Sequence, residues 1–124
     1  MNYLLDTHIF LWWLNDDKNL KKSLRNIISD PKNRIYVSVI NGWEISIKNK
    51  LGKLPLKTTL KECFEVSGFE VLSIGLNHIL TLDKLPLIHN DPFDRLLIAQ
   101  AMTENLILLT DDRKMEKYEV KIAA

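Results

Sequence analysis

The chain has 124 residues, 46% of them hydrophobic and 27% charged, with only four Gly and four Pro. That length holds one domain with a core of its own and is short for two, and the composition excludes a disordered or fibrous chain. Its 17 Lys and Arg nearly cancel 16 Asp and Glu, so the formal charge of +1 names no partner and any electrostatic role lies in how the charges are distributed.

Asp6 and His8 interrupt the apolar run at the amino terminus, which has neither a basic leader nor a small-residue cleavage site. Neither a signal peptide nor a membrane span is expected, and a cytoplasmic location is. Cys63, the single cysteine, can form no intramolecular disulfide and no zinc site by itself; it falls on the apolar side of a helical pattern as a buried thiol.

In chain order, NYLL (2–5) is a short apolar run consistent with a buried strand, and THIFLWWLN (7–15) shifts to helix. KNLKKSLRNIISD (18–30) places Leu20, Leu24, Ile27 and Ile28 at helical spacing and stops before Pro31. RIYVSV (34–39) is β-branched and aromatic, hence a second strand. INGWEISIKNKLGKLP (40–55) returns to helical spacing through Ile40, Trp43, Ile47 and Leu51, with Gly52 and Pro55 as its stop. LKECFEVSG (60–68) reads as a helix closed by Gly68, FEVLSI (69–74) as a third strand, and NHILTLDKLP (77–86) as a short helix ended by Pro86. DPFDRLLIAQAMTEN (91–105) is the clearest helix, with Asp91 as its cap and Pro92 at its first position. LILLT (106–110) is a fourth strand, DRKMEKY (112–118) a short helix and YEVKIA (118–123) a fifth strand. Strands alternating with helices predict a mainly parallel α/β sheet in a single domain spanning residues 1–124.

Ligands in such sheets gather beyond the carboxyl ends of the strands. Asp6 closes the first strand, and Asp111 and Asp112 follow LILLT directly. Asp94 lies in the first turn of its helix and Glu44 in the first turns of the helix after RIYVSV, so acids from four segments can meet at one rim. Like charges brought together raise one another's pKa values, and a divalent metal resolves the conflict. All-oxygen ligands suit Mg²⁺ or Mn²⁺ rather than zinc, and carboxylate-bound Mg²⁺ commonly engages phosphate oxygens, which points to phosphodiester hydrolysis. Each acid also has a structural reading: Asp91 as a helix cap, Asp94 as its capping-box partner, Asp111 as the cap that leaves Asp112 for metal, Glu44 as a solvated helix residue. Asp6 is the hardest to explain structurally, because a carboxylate closing a buried strand needs a partner.

YLLDTHIFLWWL, VSVINGWEISIKNKLGKLPL, HNDPFDRLLIAQAM and LLTDDRKMEKY together resemble the PIN-domain ribonucleases, specifically the VapC-type toxins of prokaryotic toxin–antitoxin pairs. The resemblance covers nearly the whole chain and implies a three-layer α/β/α sandwich. It implies that Asp6, Glu44 and Asp94 form the acidic core of a Mg²⁺- or Mn²⁺-dependent site, with Asp112 as a fourth member and Thr7 and Thr110 positioning water or phosphate. It further implies an RNA substrate cut to 5′-phosphate and 3′-hydroxyl ends, a homodimer, a cognate antitoxin that occupies the groove, and DNA contact only through that antitoxin. Arg95 is placed to pair with an acid or touch a phosphate, or to form a plain surface salt bridge. Lys48 to Lys57 read as a solvated helix face or as contacts to RNA backbone. Trp12, Trp13 and Trp43 read as core or dimer interface rather than base-stacking groups. The three scattered histidines carry no assigned role.

Three other readings compete. A haloacid-dehalogenase-like phosphatase expects a second Asp two positions after the first, where His8 stands. A phospho-accepting receiver domain expects an adjacent acidic pair after the first strand, where Asp6 is single. A PIN-like protein that binds without cutting would not need the full acidic set.

Overall fold

A computed structural model describes all residues from Met1 to Ala124. The elements run β1 (Asn2–Leu5), α1 (Thr7–Leu14), α2 (Lys22–Ser29), β2 (Arg34–Ser38), α3 (Val39–Lys50), α4 (Leu60–Ser67), β3 (Glu70–Leu72), α5 (Leu76–Lys84), α6 (Pro92–Glu104), β4 (Ile107–Leu109), a 3-10 turn (Arg113–Lys117) and β5 (Ile122–Ala123). The five strands form one sheet in the order β3-β2-β1-β4-β5, and every pairing is parallel. The expected mainly parallel sheet is thus wholly parallel.

Alternation along the strands builds a core on each face, which is why the central strands read as unbroken apolar runs. Tyr3, Leu5, Ile35, Val37 and Leu109 pack on one face with Phe10, Leu24 and Ile45. Leu4 and Leu108 pack on the other with Leu97, Ile98 and Met115. The result is a three-layer α/β/α sandwich.

Element boundaries shift where side chains compete with the backbone pattern. The helix foreseen from residue 18 begins at Lys22, because the Asp17 side chain takes the Asn19 amide at 2.9 Å and its carbonyl the Leu20 amide at 3.2 Å, which makes a turn. The helix expected to stop at Gly52 and Pro55 ends at Lys50, where Gly52 turns left-handed (φ +74°) and the Lys53 amide closes back on Lys48. Val39 opens that helix rather than ending β2, and Ser38 caps it. The third and fifth strands shorten to Glu70–Leu72 and Ile122–Ala123 at the two edges of the sheet, and the last helix is a 3-10 turn.

From β1 the chain winds outward through β2 to β3 on one side, then returns to lay β4 on the other side of β1. The carboxyl ends of β1 and β4 therefore flank the switch point of the sheet, where a crevice opens. Asp6 follows β1 there, and Thr110, Asp111 and Asp112 follow β4.

Candidate metal centre

Asp6 is 6% exposed. Its amide donates to Leu109 O at 2.9 Å, continuing the β1–β4 ladder, and its carboxylate caps α1 by accepting the Thr7 amide at 2.8 Å. The other carboxylate oxygen accepts the buried Thr110 hydroxyl at 2.7 Å. Burial pushes this carboxyl up to about 6 despite those two bonds, and the nearby Glu44 charge adds to the rise.

Glu44 is also buried, in the second turn of α3. A capping box fixes the start of that helix: the Ser38 hydroxyl accepts the Ile40 amide at 3.0 Å, and the Asn41 carbonyl oxygen accepts the Ser38 amide at 2.7 Å. The Asn41 amide group then reaches across to Leu5 O at 3.2 Å and to the Thr7 hydroxyl at 2.9 Å. With Asn41 as its donor, the Thr7 hydroxyl gives its own hydrogen to Glu44 Oε1 at 2.6 Å. The second oxygen, Oε2, is held by the Lys48 ammonium one turn further along α3. Burial pulls the Lys48 ammonium down, but the hydrogen bond and charge of Glu44, with the charges of Asp91 and Asp94, outweigh it and hold it above the ordinary lysine value.

Asp91 caps α6, accepting the Phe93 and Asp94 amides at 2.9 and 3.1 Å, and Pro92 fills the first helical position. The cap turns Asp94 into the crevice, half-buried. Burial, then the charges of Asp6, Asp91, Glu44 and Asp112, push the Asp94 carboxyl up to about 8. His89 Nε2 lies 3.3 Å from Asp94 Oδ2. At the other ring nitrogen, Nδ1 meets the Tyr118 hydroxyl at 2.6 Å. That hydroxyl already accepts from the His89 amide and the Arg95 guanidinium, so its hydrogen goes to Nδ1 and leaves Nε2 as the donor to Asp94. After β4 the two neighbouring acids divide in the reverse of one expectation: Asp112, not Asp111, caps the 3-10 turn, accepting the Lys114 amide at 3.0 Å, while Asp111 is exposed.

A family model described as "PIN domain" matches residues 3–121. The chain belongs to the PIN-domain family. Among curated relatives of this PIN domain is Ribonuclease VapC22 of Mycobacterium tuberculosis (strain ATCC 25618 / H37Rv), 22% identical over 118 residues that cover 93% of this chain and 90% of the relative. Two solved structures share the fold. One is VapBC2 from Rickettsia felis bound to a DNA fragment from their promoter (TM-score 0.74, 19% identity, 99% of this chain and 98% of that one). The other is a toxin–antitoxin complex from Klebsiella pneumoniae (TM-score 0.66, 19% identity, 98% of this chain and 96% of that one).

In this PIN domain Asp6, Glu44, Asp91, Asp94, Asp111 and Asp112 line a single open pocket of about 320 Å³, with His8, Trp12 and Lys48. No three of the domain's acid, histidine or cysteine side chains close to metal-ligating distances. Three of the carboxylates turn instead to local donors: Glu44 to Thr7 and Lys48, Asp6 to Thr7 and Thr110, Asp112 to the Lys114 amide. The six carboxylates offer only oxygen donors, and Asp6 and Asp94 are both held in a state that resists ionisation. A cation would remove that resistance, so the residues fit a hard divalent ion such as Mg²⁺ or Mn²⁺.

The remaining expectations fall out unevenly. Arg95 does not face the acids; it donates to Pro86 O at 2.8 Å, Leu85 O at 3.5 Å and the Tyr118 hydroxyl at 3.2 Å, where the end of α5 leaves carbonyls without helical partners. Trp13 packs beside Phe69 against the core, Trp12 borders the pocket edge-on to His8, and Trp43 is 53% exposed against Phe93. Cys63 is buried. Asn41, Lys48, His89 and Tyr118 join the site without individual prediction from the sequence. The capping box at Ser38 and the Glu44–Lys48 spacing were legible signals for the first two, whereas His89 and Tyr118, 29 positions apart, carry none.

Proposed function

We propose that this PIN domain is a divalent-metal-dependent endoribonuclease, the toxin of a toxin–antitoxin pair, held inactive by a cognate antitoxin. One observation carries the reading: carboxylates from four segments share a crevice at the switch point of the sheet, and two of them resist ionisation there. A ribonuclease among the curated relatives supports ribonuclease activity, and the toxin–antitoxin complexes that share the fold support an antitoxin partner.

Asp6, Glu44 and Asp94, joined by Asp112, would hold Mg²⁺ or Mn²⁺. When bound, such an ion acidifies and orients a water for attack on an RNA phosphodiester and offsets charge on the phosphate. The chain's own residues do the positioning. Thr110 and the Thr7 amide fix Asp6, Thr7 fixes Glu44 under the hold of Asn41, and His89 steadies Asp94. The Thr7 and Thr110 hydroxyls act through these carboxylates rather than on water or phosphate directly. In this reading the chain acts in the cytoplasm as a homodimer and touches DNA only through its antitoxin.

The test is incubation of purified protein with structured and single-stranded RNAs in Mg²⁺, Mn²⁺ or EDTA, beside Asp94→Asn. Cleavage that needs both metal and Asp94 is expected. Cleavage that persists in EDTA or in the variant contradicts the reading, and binding of RNA without cleavage would favour a binding-only relative.

A further inference from the structure

Six carboxylates line the acidic pocket, and Lys48 is the one Lys or Arg among its lining residues. Lys48 stands four positions after Glu44, so the two side chains leave the same face of α3 one turn apart. Glu44 has no free oxygen: Oε1 takes the Thr7 hydroxyl and Oε2 the Lys48 ammonium. The two donors differ in how firmly they are held. Thr7 is wholly buried in the first turn of α1, and its hydroxyl is fixed by Asn41. The Lys48 side chain is 28% exposed and ends a flexible four-carbon stem, so Oε2 is the oxygen that can change partners without disturbing the core.

We propose that Lys48 is the pocket's resident counter-cation: its ammonium holds the Glu44 oxygen that a divalent ion would take, and it leaves when the ion binds. The inference rests on reading the acids as a metal site. A lysine ammonium and a metal ion at one carboxylate oxygen repel each other, so the two occupancies exclude one another. The stabilisation that Lys48 gives the metal-free fold is then lost on metal binding and lowers the affinity for the ion. Lys48 thereby keeps a buried glutamate charge-paired in the free protein and sets the metal concentration at which the site fills.

The experiment measures Mn²⁺ binding by calorimetry and metal-free melting temperature on the whole chain, for the wild type, Lys48→Met, Glu44→Gln and the double variant. Methionine keeps the apolar stem and removes only the charge. Lys48→Met is expected to melt lower without metal and to bind Mn²⁺ on the order of tenfold tighter. In the Glu44→Gln background, where no carboxylate is left for the ammonium to hold, the same substitution is expected to gain nothing. An unchanged Mn²⁺ affinity in Lys48→Met overturns the inference, and so does an equal gain in the Glu44→Gln background, which would mark a diffuse charge effect. Asp94→Asn separates the two levels: Mn²⁺ binding that ignores Asp94 overturns the metal-site reading and the inference together, whereas binding that needs Asp94 but ignores Lys48 overturns the inference alone.

Discussion

The Thr7 hydroxyl donates to Glu44 Oε1 at 2.6 Å, tying the first turn of α1 to the second turn of α3 deep in the crevice. The hydroxyl also accepts from Asn41, so a single side-chain oxygen orients a carboxylate by being oriented itself. Thr7→Val keeps the shape and removes the hydroxyl, leaving Asn41 and Glu44 each short of a buried partner. A loss of about 1–3 kcal/mol in chemical denaturation is expected, with a weaker response of cleavage to metal. Thr7→Ser restores both, and equal stability of the Val and wild-type proteins would contradict this arrangement.

Stability should depend on pH in a direction opposite to that of most acids. Burial holds the folded carboxyls of Asp6 and Asp94 at about 6 and about 8. An unfolded Asp titrates near ~3.9. Between those values the folded chain keeps protons that the unfolded chain has released, so the contribution of these groups is fully present below the unfolded value and is lost as pH rises through the folded ones. In EDTA the melting temperature is expected to fall by several degrees from pH 5 to pH 8.5. Asp94→Asn should flatten the upper part of that slope, and saturating Mg²⁺ should oppose it, because the ion favours the ionised acids. A melting temperature that rises across the window in EDTA would contradict the burial argument.

Removing a charge from the crevice should separate stability from activity. Asp94→Asn relieves repulsion from Asp6, Asp91, Glu44 and Asp112, so the metal-free protein should melt higher than the wild type at pH 8. Its cleavage rate should fall by about a thousandfold or more, the several kcal/mol that a metal supplies to a phosphoryl reaction. A variant that is both less stable and fully active would contradict both halves.

His89 should act through Asp94. Tyr118 and Arg95 leave only Nε2–H of His89 pointing at Asp94 Oδ2. His89→Ala is expected to lower metal affinity or activity by about 10–100-fold, as loss of an outer partner of a ligand commonly does. His89→Gln, which retains an N–H donor, should recover part of it, and Tyr118→Phe should give a smaller loss. Metal titrations of the cleavage rate separate this from a general loss of fold, which would lower the rate at every metal concentration.

Much of this organisation was readable in the chain. The strands announced themselves because both faces of a central parallel strand are buried, and NYLL and LILLT carry no polar interruption. Asp6 stood out because a carboxylate ending such a run must find a partner, and it finds Thr7 and Thr110. The choice between Asp111 and Asp112 was not readable, since either neighbour can cap the next turn and only the chain direction after β4 decides. Arg95 misled because adjacency to Asp94 along a helix sends side chains about 100° apart, and its guanidinium goes to the carbonyls at the end of α5. The chain that runs from buried Ser38, Gln100 and His78 out to the exposed Glu104 was invisible for a different reason: its partners lie 22 to 62 positions apart, and no local pattern records a contact made by folding.

The chemistry of the product ends tests the central claim most directly. If the carboxylates hold an ion that activates water, RNA cut by the wild-type protein in Mg²⁺ or Mn²⁺ carries 5′-phosphate and 3′-hydroxyl ends, scored by direct ligation and by phosphatase sensitivity, and Asp94→Asn leaves the RNA whole. Products with 2′,3′-cyclic phosphate and 5′-hydroxyl ends, formed equally well in EDTA, would mean attack by the RNA's own hydroxyl and would contradict a metal centre in this crevice.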